Sequence, residues 1–418
     1  MMQRRLLATS VLTFAISGGC LGGGSSTQTS TDGSIGVEND AGSSAGGVGG
    51  STPGTGGMSS IGGTAQLGGV TGTAPPVADG YKLDVLFMVG KTQSMGDAQR
   101  RLSAAAPAFM VELRRRNLRD VRLAVGSGDL GIEGRNEPLA GPDCSNSVGD
   151  IGRLPTSAKC LQDAQFIHIQ GNTVAPSRDA NEALACLLRV GTTGCVFTQP
   201  IKAFFDLWLL DRATNVMRNF FRPEADLLVI IVSDEDDCST GGPKEADILA
   251  STPGQFRRLR CATFGHMCDG MPLEPREKSL PLSACRDLVS TEQLVAVPDI
   301  LPKLEEIRKS KREGRAAMKI SGEPRIMIAS LSGWPSPADL TAARYEYRRF
   351  TSPISGESLL DLAPVCGQGE GAARPGLRLR RLAERLPPGD GLYLSICGDD
   401  LRPALIQAAS LPSPRPRP

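Results

Sequence analysis

An α/β fold, with a mostly parallel sheet covered by helices on both faces and decorated by disulfide-rich insertions, is predicted by three features of the sequence. Residues 83–89 (apolar apart from Asp84) and 225–232 (apolar apart from Asp226) are runs of strand length, the mark of strands buried on both faces. Between such runs lie stretches whose apolar residues recur three and four apart, the helical period. The two patterns alternate along the chain, the order expected of parallel strands joined by crossover helices.

In chain order, the strand at 83–89 leads into a helix over 96–116, where Leu102, Ala105, Ala106, Phe109, Met110 and Leu113 share one face. A strand follows at 121–125, then helices over 179–188 and 199–220. The run at 225–232 is the strongest strand signal in the chain. A helix at 299–311, a strand at 325–331, a helix at 377–386, a strand at 392–396 and a helix at 401–409 complete the series. The intervals 129–177 and 238–295 are too irregular and cysteine-rich for the basic sheet unit and read as pinned insertions. A single head over 80–410 is expected, with a Pro/Arg tail at 411–418.

The N-terminus indicates export. Arg4 and Arg5 precede an apolar run at 6–16, which has the length of a signal-peptide core and is too short to span a bilayer. Ile16-Ser17-Gly18-Gly19-Cys20 resembles a bacterial lipobox, although Ser17 stands where Leu is usual. The resemblance implies a signal peptide over 1–20 and lipidation of Cys20; plain secretion is the alternative. Leu21 after the cysteine implies the outer membrane or cell surface, with the periplasm as the alternative. Residues 21–79 are Gly, Ser, Thr and Ala with no Lys or Arg and no apolar period, so they read as a disordered tether. Its r.m.s. reach is roughly 40–45 Å.

Ten further cysteines are disulfide candidates: Cys144, Cys160, Cys186, Cys195, Cys238, Cys261, Cys268, Cys285, Cys366 and Cys397. An even number in an exported chain reads as up to five disulfides. Zinc at Cys261, His266 and Cys268 is the competing reading, but no CxxC pair accompanies them. With Lys+Arg 46 against Asp+Glu 45, net charge is +1, which gives no electrostatic case for nucleic acid as partner.

Working sites in open α/β sheets lie at the carboxyl ends of strands. Here those ends carry Gly90-Lys91-Thr92-Gln93-Ser94 and Ser233-Asp234-Glu235-Asp236-Asp237. The first is not a phosphate loop, because Val85 stands where that motif needs glycine. Residues 83–95 instead resemble the opening of a von Willebrand factor A domain, whose Asp-x-Ser-x-Ser motif helps to form a metal-ion-dependent adhesion site. Gly90 replaces that motif's Asp, while Thr92 and Ser94 match its hydroxyls and Asp234 matches the third-loop Asp. Thr192 and Thr193 are alternative candidates for the second-loop Thr. Segments 194–200, 231–239 and 395–400 further resemble a group of exported A-domain-like proteins from myxobacteria and their relatives. The resemblance implies a Rossmann-like fold, a cell-envelope location and binding of a protein or envelope polymer, with Mg2+ or another divalent cation at a degenerate site.

Loss of a carboxylate at Gly90 and the added charge of Lys91 oppose metal binding; Glu235, Asp236 and Asp237 are expected to restore some negative charge. The alternatives are a disabled site with a solvated acidic loop, Ca2+ held by Asp234 and Asp236, a metal-assisted hydrolase using loop 234–237, and a purely structural envelope lipoprotein. Neither His168 nor His266 is expected beside these acids, so each reads as a structural or surface residue. Trp208 and Trp334 read as core anchors.

Overall fold

A computed structural model describes residues 80–412, apart from 132–148, 151–153, 196, 218, 242–247, 249–254, 256–258, 273–276, 278, 289–291, 336–340, 352–355 and 368–370. The expected signal peptide with Cys20, the tether, Cys144 and the last residues of the tail lie outside the described residues.

The elements are, in order, β1 (Lys82–Val89), α1 (Met95–Arg115), β2 (Asp120–Ser127), α2 (Ser157–Leu161), β3 (Ile167–Gln170), β4 (Thr173–Ala175), α3 (Ala180–Leu187), α4 (Pro200–Thr214) and β5 (Asp226–Val232). There follow α5 (Leu259–Gly265), β6 (His266–Cys268), β7 (Met271–Pro272), β8 (Ser279–Pro281), β9 (Cys285–Asp287) and α6 (Val297–Ala317). The chain closes with β10 (Ile326–Ser332), β11 (Arg344–Thr351), β12 (Ser358–Leu362), α7 (Leu377–Arg385), β13 (Gly391–Ser395) and α8 (Arg402–Ser410).

Seven strands form the main sheet in the order β13-β10-β5-β1-β2-β3-β4. The five from β13 to β2 are parallel; β3 and β4 add an antiparallel edge. Alternation along β1 feeds two cores. Leu83, Val85, Phe87 and Val89 pack with α1, α3 and α8 on one face. Leu86 and Met88 pack with α4, α6 and α7 on the other. Two three-stranded sheets, β12-β11-β8 and β7-β6-β9, lie beside the main one. A third core gathers Trp334, Tyr345, Tyr347 and Leu377 between these additions and α7.

Local chemistry sets the helix ends. Asp179 caps α3 by accepting from Asn181 N at 2.7 Å. The helix expected over 199–220 stops at Thr214, because Asn215 turns left-handed at φ 54°. Conversely, α6 outruns the expected 299–311. Its buried face continues beyond Ile307 through Lys311 and Arg315, whose charges meet Asp84 and Asp226 at the amino ends of the strands. Trp208 and Trp334 are both buried.

Four disulfides are present among the described residues: Cys160–Cys186, Cys238–Cys261, Cys268–Cys285 and Cys366–Cys397. Cys195 is disulfide-bonded as well. The zinc reading is therefore corrected, since Cys261 and Cys268 are each committed to another cysteine.

Candidate functional site

The chain leaves β1 for β2 on one side and places β5 on the other, so the strand order reverses at β1. Such a reversal opens a crevice at the carboxyl ends of the strands. Their ends are tied together there: Gly90 N donates to Val232 O at 2.8 Å, and Gly128 N to Val89 O at 3.3 Å.

Three sequence-predicted residues meet at this point. Thr92 Oγ1 donates to Asp234 Oδ1 and Oδ2 at 2.8 and 2.7 Å. Ser94 Oγ bonds the same Oδ2 and lies 3.3 Å from Thr92 Oγ1. Thr92 and Asp234 are 0% and 1% exposed, whereas Ser94 is half-buried and forms the open side of the trio. Burial pushes the Asp234 carboxyl above its ordinary range; the Ser94 and Thr92 hydroxyls and the nearby Arg374 guanidinium pull the other way without cancelling it.

The loop carrying Thr192 and Thr193 is brought to the rim of the site. Gly191 is held by Gln99, Gly194 N donates to Lys91 O at 2.8 Å, and Cys195 N to Asp129 Oδ1 at 3.4 Å. Thr192 is half-buried, and among the described residues no hydrogen bond joins it to the trio.

Lys91 does not face the trio as an uncompensated charge. Its Nζ lies 2.7 Å from Asp150 Oδ2, which also accepts from Ser127 Oγ at 2.6 Å. The opposing charge expected from the sequence is thus neutralised on the β2 side.

The expected solvated acidic loop is corrected most sharply. Glu235, Asp236 and Asp237 are all buried. Arg374 Nη1 bonds Glu235 at 2.7 Å, while its Nη2 bonds Asp361 at 3.0 Å. Asp236 accepts Arg378 N and Leu379 N at the start of α7, where a carboxylate complements the helix dipole. Arg378 Nη2 reaches Asp237 Oδ2 at 3.1 Å, and Ile201 N and Ser239 Oγ bond Asp237 Oδ1. His266, expected to stand apart from these acids, lies 3.1 Å from Asp236 Oδ2 and is fully buried, with Tyr345 OH 3.2 Å from its Nδ1. His168 pairs with Asp120 at 3.1 Å. The acids therefore hold the fold together. Both Asp236 oxygens are engaged, by the first turn of α7 and by His266.

Two residues of the site carried no distinctive sequence signal. Gln99 looks like any helix-surface glutamine, yet it is 3% exposed. Asp129, 1% exposed, sits just past the carboxyl end of β2 with no hydrogen-bond partner for Oδ2 among the described residues, and burial raises its carboxyl above the ordinary range. The only hint was its place in Gly128-Asp129-Leu130-Gly131, directly after a strand. Among the described residues, no group of three or more His, Cys, Asp and Glu side chains is placed to hold a metal, so a cation here would need other oxygens, hydroxyl, carbonyl or water, beside Asp234.

No family model matches the chain, and neither does any curated protein. Among solved structures it is similar to two chains of the pilus adhesin SpaC from Lactobacillus rhamnosus GG. One, in the open conformation, shows 11% identity over 40% of this chain and 16% of that chain, with a TM-score of 0.22. The other shows 10% identity over 62% of this chain and 25% of that chain, with a TM-score of 0.27. The match thus spans a quarter or less of either adhesin chain. Similarity at this level assigns neither a family nor a function.

Proposed function

We propose that this chain is an exported cell-envelope protein whose von Willebrand factor A-like head binds a protein or envelope polymer through a divalent cation at Thr92, Ser94 and Asp234. In this reading Cys20 carries the lipid anchor and residues 21–79 hold the head, 80–410, away from the membrane. The disulfides fit an exported protein. No helix among the described residues is long and apolar enough to cross a membrane.

The observation that carries the proposal is the convergence of two hydroxyls on one buried carboxylate at the strand reversal. Octahedral Mg2+, with bonds of about 2.0–2.1 Å, separates neighbouring ligand oxygens by roughly 2.9 Å. Thr92 Oγ1 lies 2.7 Å from Asp234 Oδ2 and 3.3 Å from Ser94 Oγ, either side of that spacing; Ser94 Oγ is in direct contact with the same Oδ2 and would move outward to admit an ion, and all three are hard oxygen donors. A bound cation would supply a positive centre for an acidic group of the partner. Thr92 and Asp234 would hold it from within, Ser94 from the open side, while the Lys91–Asp150 pair keeps the ammonium occupied elsewhere.

Thermal unfolding of the full oxidised chain with Mn2+ or Mg2+, then with EDTA, tests this. A cation at 100 times its Kd stabilises by about 2.7 kcal/mol and moves the midpoint by several degrees. The expected result is a shift that Asp234→Ala abolishes. Gly90→Asp should enlarge it: a Cβ at position 90 meets Met95 Cγ at 3.1 Å, and that flexible side chain can give way. No shift in any variant would leave the trio a structural knot between β1 and β5 and sink the proposal.

A further inference from the structure

The two loops that frame the candidate site belong to segments a hundred residues apart, and one side chain joins them. Gln99, in the second turn of α1, donates through Nε2 to Gly90 O at 2.9 Å and to Gly191 O at 2.7 Å. Its Oε1 accepts from Gly191 N at 3.2 Å. The amide thus engages both backbone groups of Gly191, much as a neighbouring strand would, while keeping a third bond to the glycine that opens the site loop. Gly191 itself has φ +96°, a conformation natural to glycine, with nothing within 4 Å of where a Cβ would stand.

We propose that Gln99 is a positioning residue that fixes the Thr192–Thr193 loop against Thr92 and Ser94 and so sets the cation affinity of the site. The inference rests on the reading of Thr92, Ser94 and Asp234 as a cation site. Three features support it. Gln99 is 3% exposed, so its bonds do not compete with water. It sits on the helix whose first turn follows Ser94, so Ser94 and the clamp are carried by one element. The far end of the loop is pinned separately, by Gly194 N to Lys91 O and by Cys195 N to Asp129. Thr192 and Thr193 therefore hang between two posts, and Gln99 is the post on the α1 side.

Gln99→Met keeps the length of the side chain and removes all three bonds. Mn2+ binding to the full oxidised chain would be followed by titration, and backbone amide exchange would be measured in EDTA. Gln99→Met should weaken Mn2+ binding by about 10–100-fold, as loss of an outer-sphere partner does. It should also speed amide exchange at Gly191 and Gly194 while leaving the rest of α1 protected. Should Gln99→Met not fold, Gly191→Ala disturbs the same loop from its exposed side through backbone strain alone, and the same loss of affinity is expected. Equal Mn2+ affinity in the parent and a folded variant would overturn the positioning role and leave the cation reading standing. A parent that binds no Mn2+ would overturn the cation reading. The affinity role of Gln99 falls with it, and amide exchange decides the rest: unchanged protection at Gly191 in Gln99→Met overturns its hold on the loop as well, and faster exchange confined to the two loops upholds that hold alone.

Discussion

Arg374 is where removing one side chain should cost most. Its guanidinium bonds Glu235 at 2.7 Å, Asp361 at 3.0 Å and Leu362 O at 2.9 Å, with side-chain exposures of 7%, 6% and 0% for Arg374, Glu235 and Asp361. Its own backbone N–H holds Asp234 O at 2.7 Å. Arg374→Met keeps much of the volume and leaves two buried carboxylates without this guanidinium. Breaking a buried ion pair by deleting one partner costs about 3–5 kcal/mol, because the remaining charge has lost both water and its counter-ion. Two acids share Arg374, so the upper part of that range is expected. Urea unfolding followed by circular dichroism would read the loss as a lower midpoint at unchanged slope. Adding Glu235→Gln and Asp361→Asn should recover most of it, since neutral amides carry no stranded charge. A loss below about 1 kcal/mol, or a triple variant no more stable than Arg374→Met, would refute the view that these charges are held by burial and pairing.

Three further outcomes follow from the structure. Burial raises the Asp234 carboxyl above its ordinary 3.8, so the folded state binds this proton more tightly than the unfolded state does. Without metal, the Asp234 contribution to stability is therefore present at low pH and lost as pH rises through the raised value. Asp234→Asn should remove that slope, and midpoints at mildly acid and neutral pH that fall in parallel for parent and variant would contradict it. Mn2+ competes with the same proton, so its affinity should rise with pH over the same interval. The Cys366–Cys397 disulfide closes a separation of 31 residues, and chain entropy assigns it about 3–4 kcal/mol. The Cys366→Ser/Cys397→Ser chain should unfold earlier by that amount in urea, and an unchanged midpoint would show that the closed loop is already ordered when unfolded.

The main sheet was legible because β1, β5 and β10 are covered on both faces and are apolar over most of their length. The edge strands β3 and β4 are four and three residues long and partly exposed, too short to impose a pattern. The extension of α6 was hidden for a different reason: Lys311 and Arg315 keep the helical spacing but carry charge, and only the fold shows that Asp84 and Asp226 await them. Within the site, Thr92, Ser94 and Asp234 were found through a motif, which fixes residue types at strand ends. Charge state was not legible. Four consecutive acidic residues after β5 read as a wet loop because Arg374 and Arg378 lie far along the chain, and Lys91 read as an intruder because Asp150 lies inside an irregular stretch. Gln99 escaped notice because an amide in a helix says nothing about which backbone it serves.

The distance between the acidic loop and its guanidinium partners also governs how the head can be made and divided. Glu235 and Asp237 are separated from Arg374 and Arg378 by 139 and 141 residues of sequence. As the chain emerges from N- to C-terminus, β1 and β5 are available long before the charges that let their loops be buried. The N-terminal half consequently lacks the Arg374 and Arg378 bonds to this loop until residues 374–378 arrive. A chain ended before residue 374 would keep every oxygen of the trio and lose the counter-ions packed around it. The arrangement around the trio is thus a property of the completed chain, and its loops alone do not carry the charges that surround them.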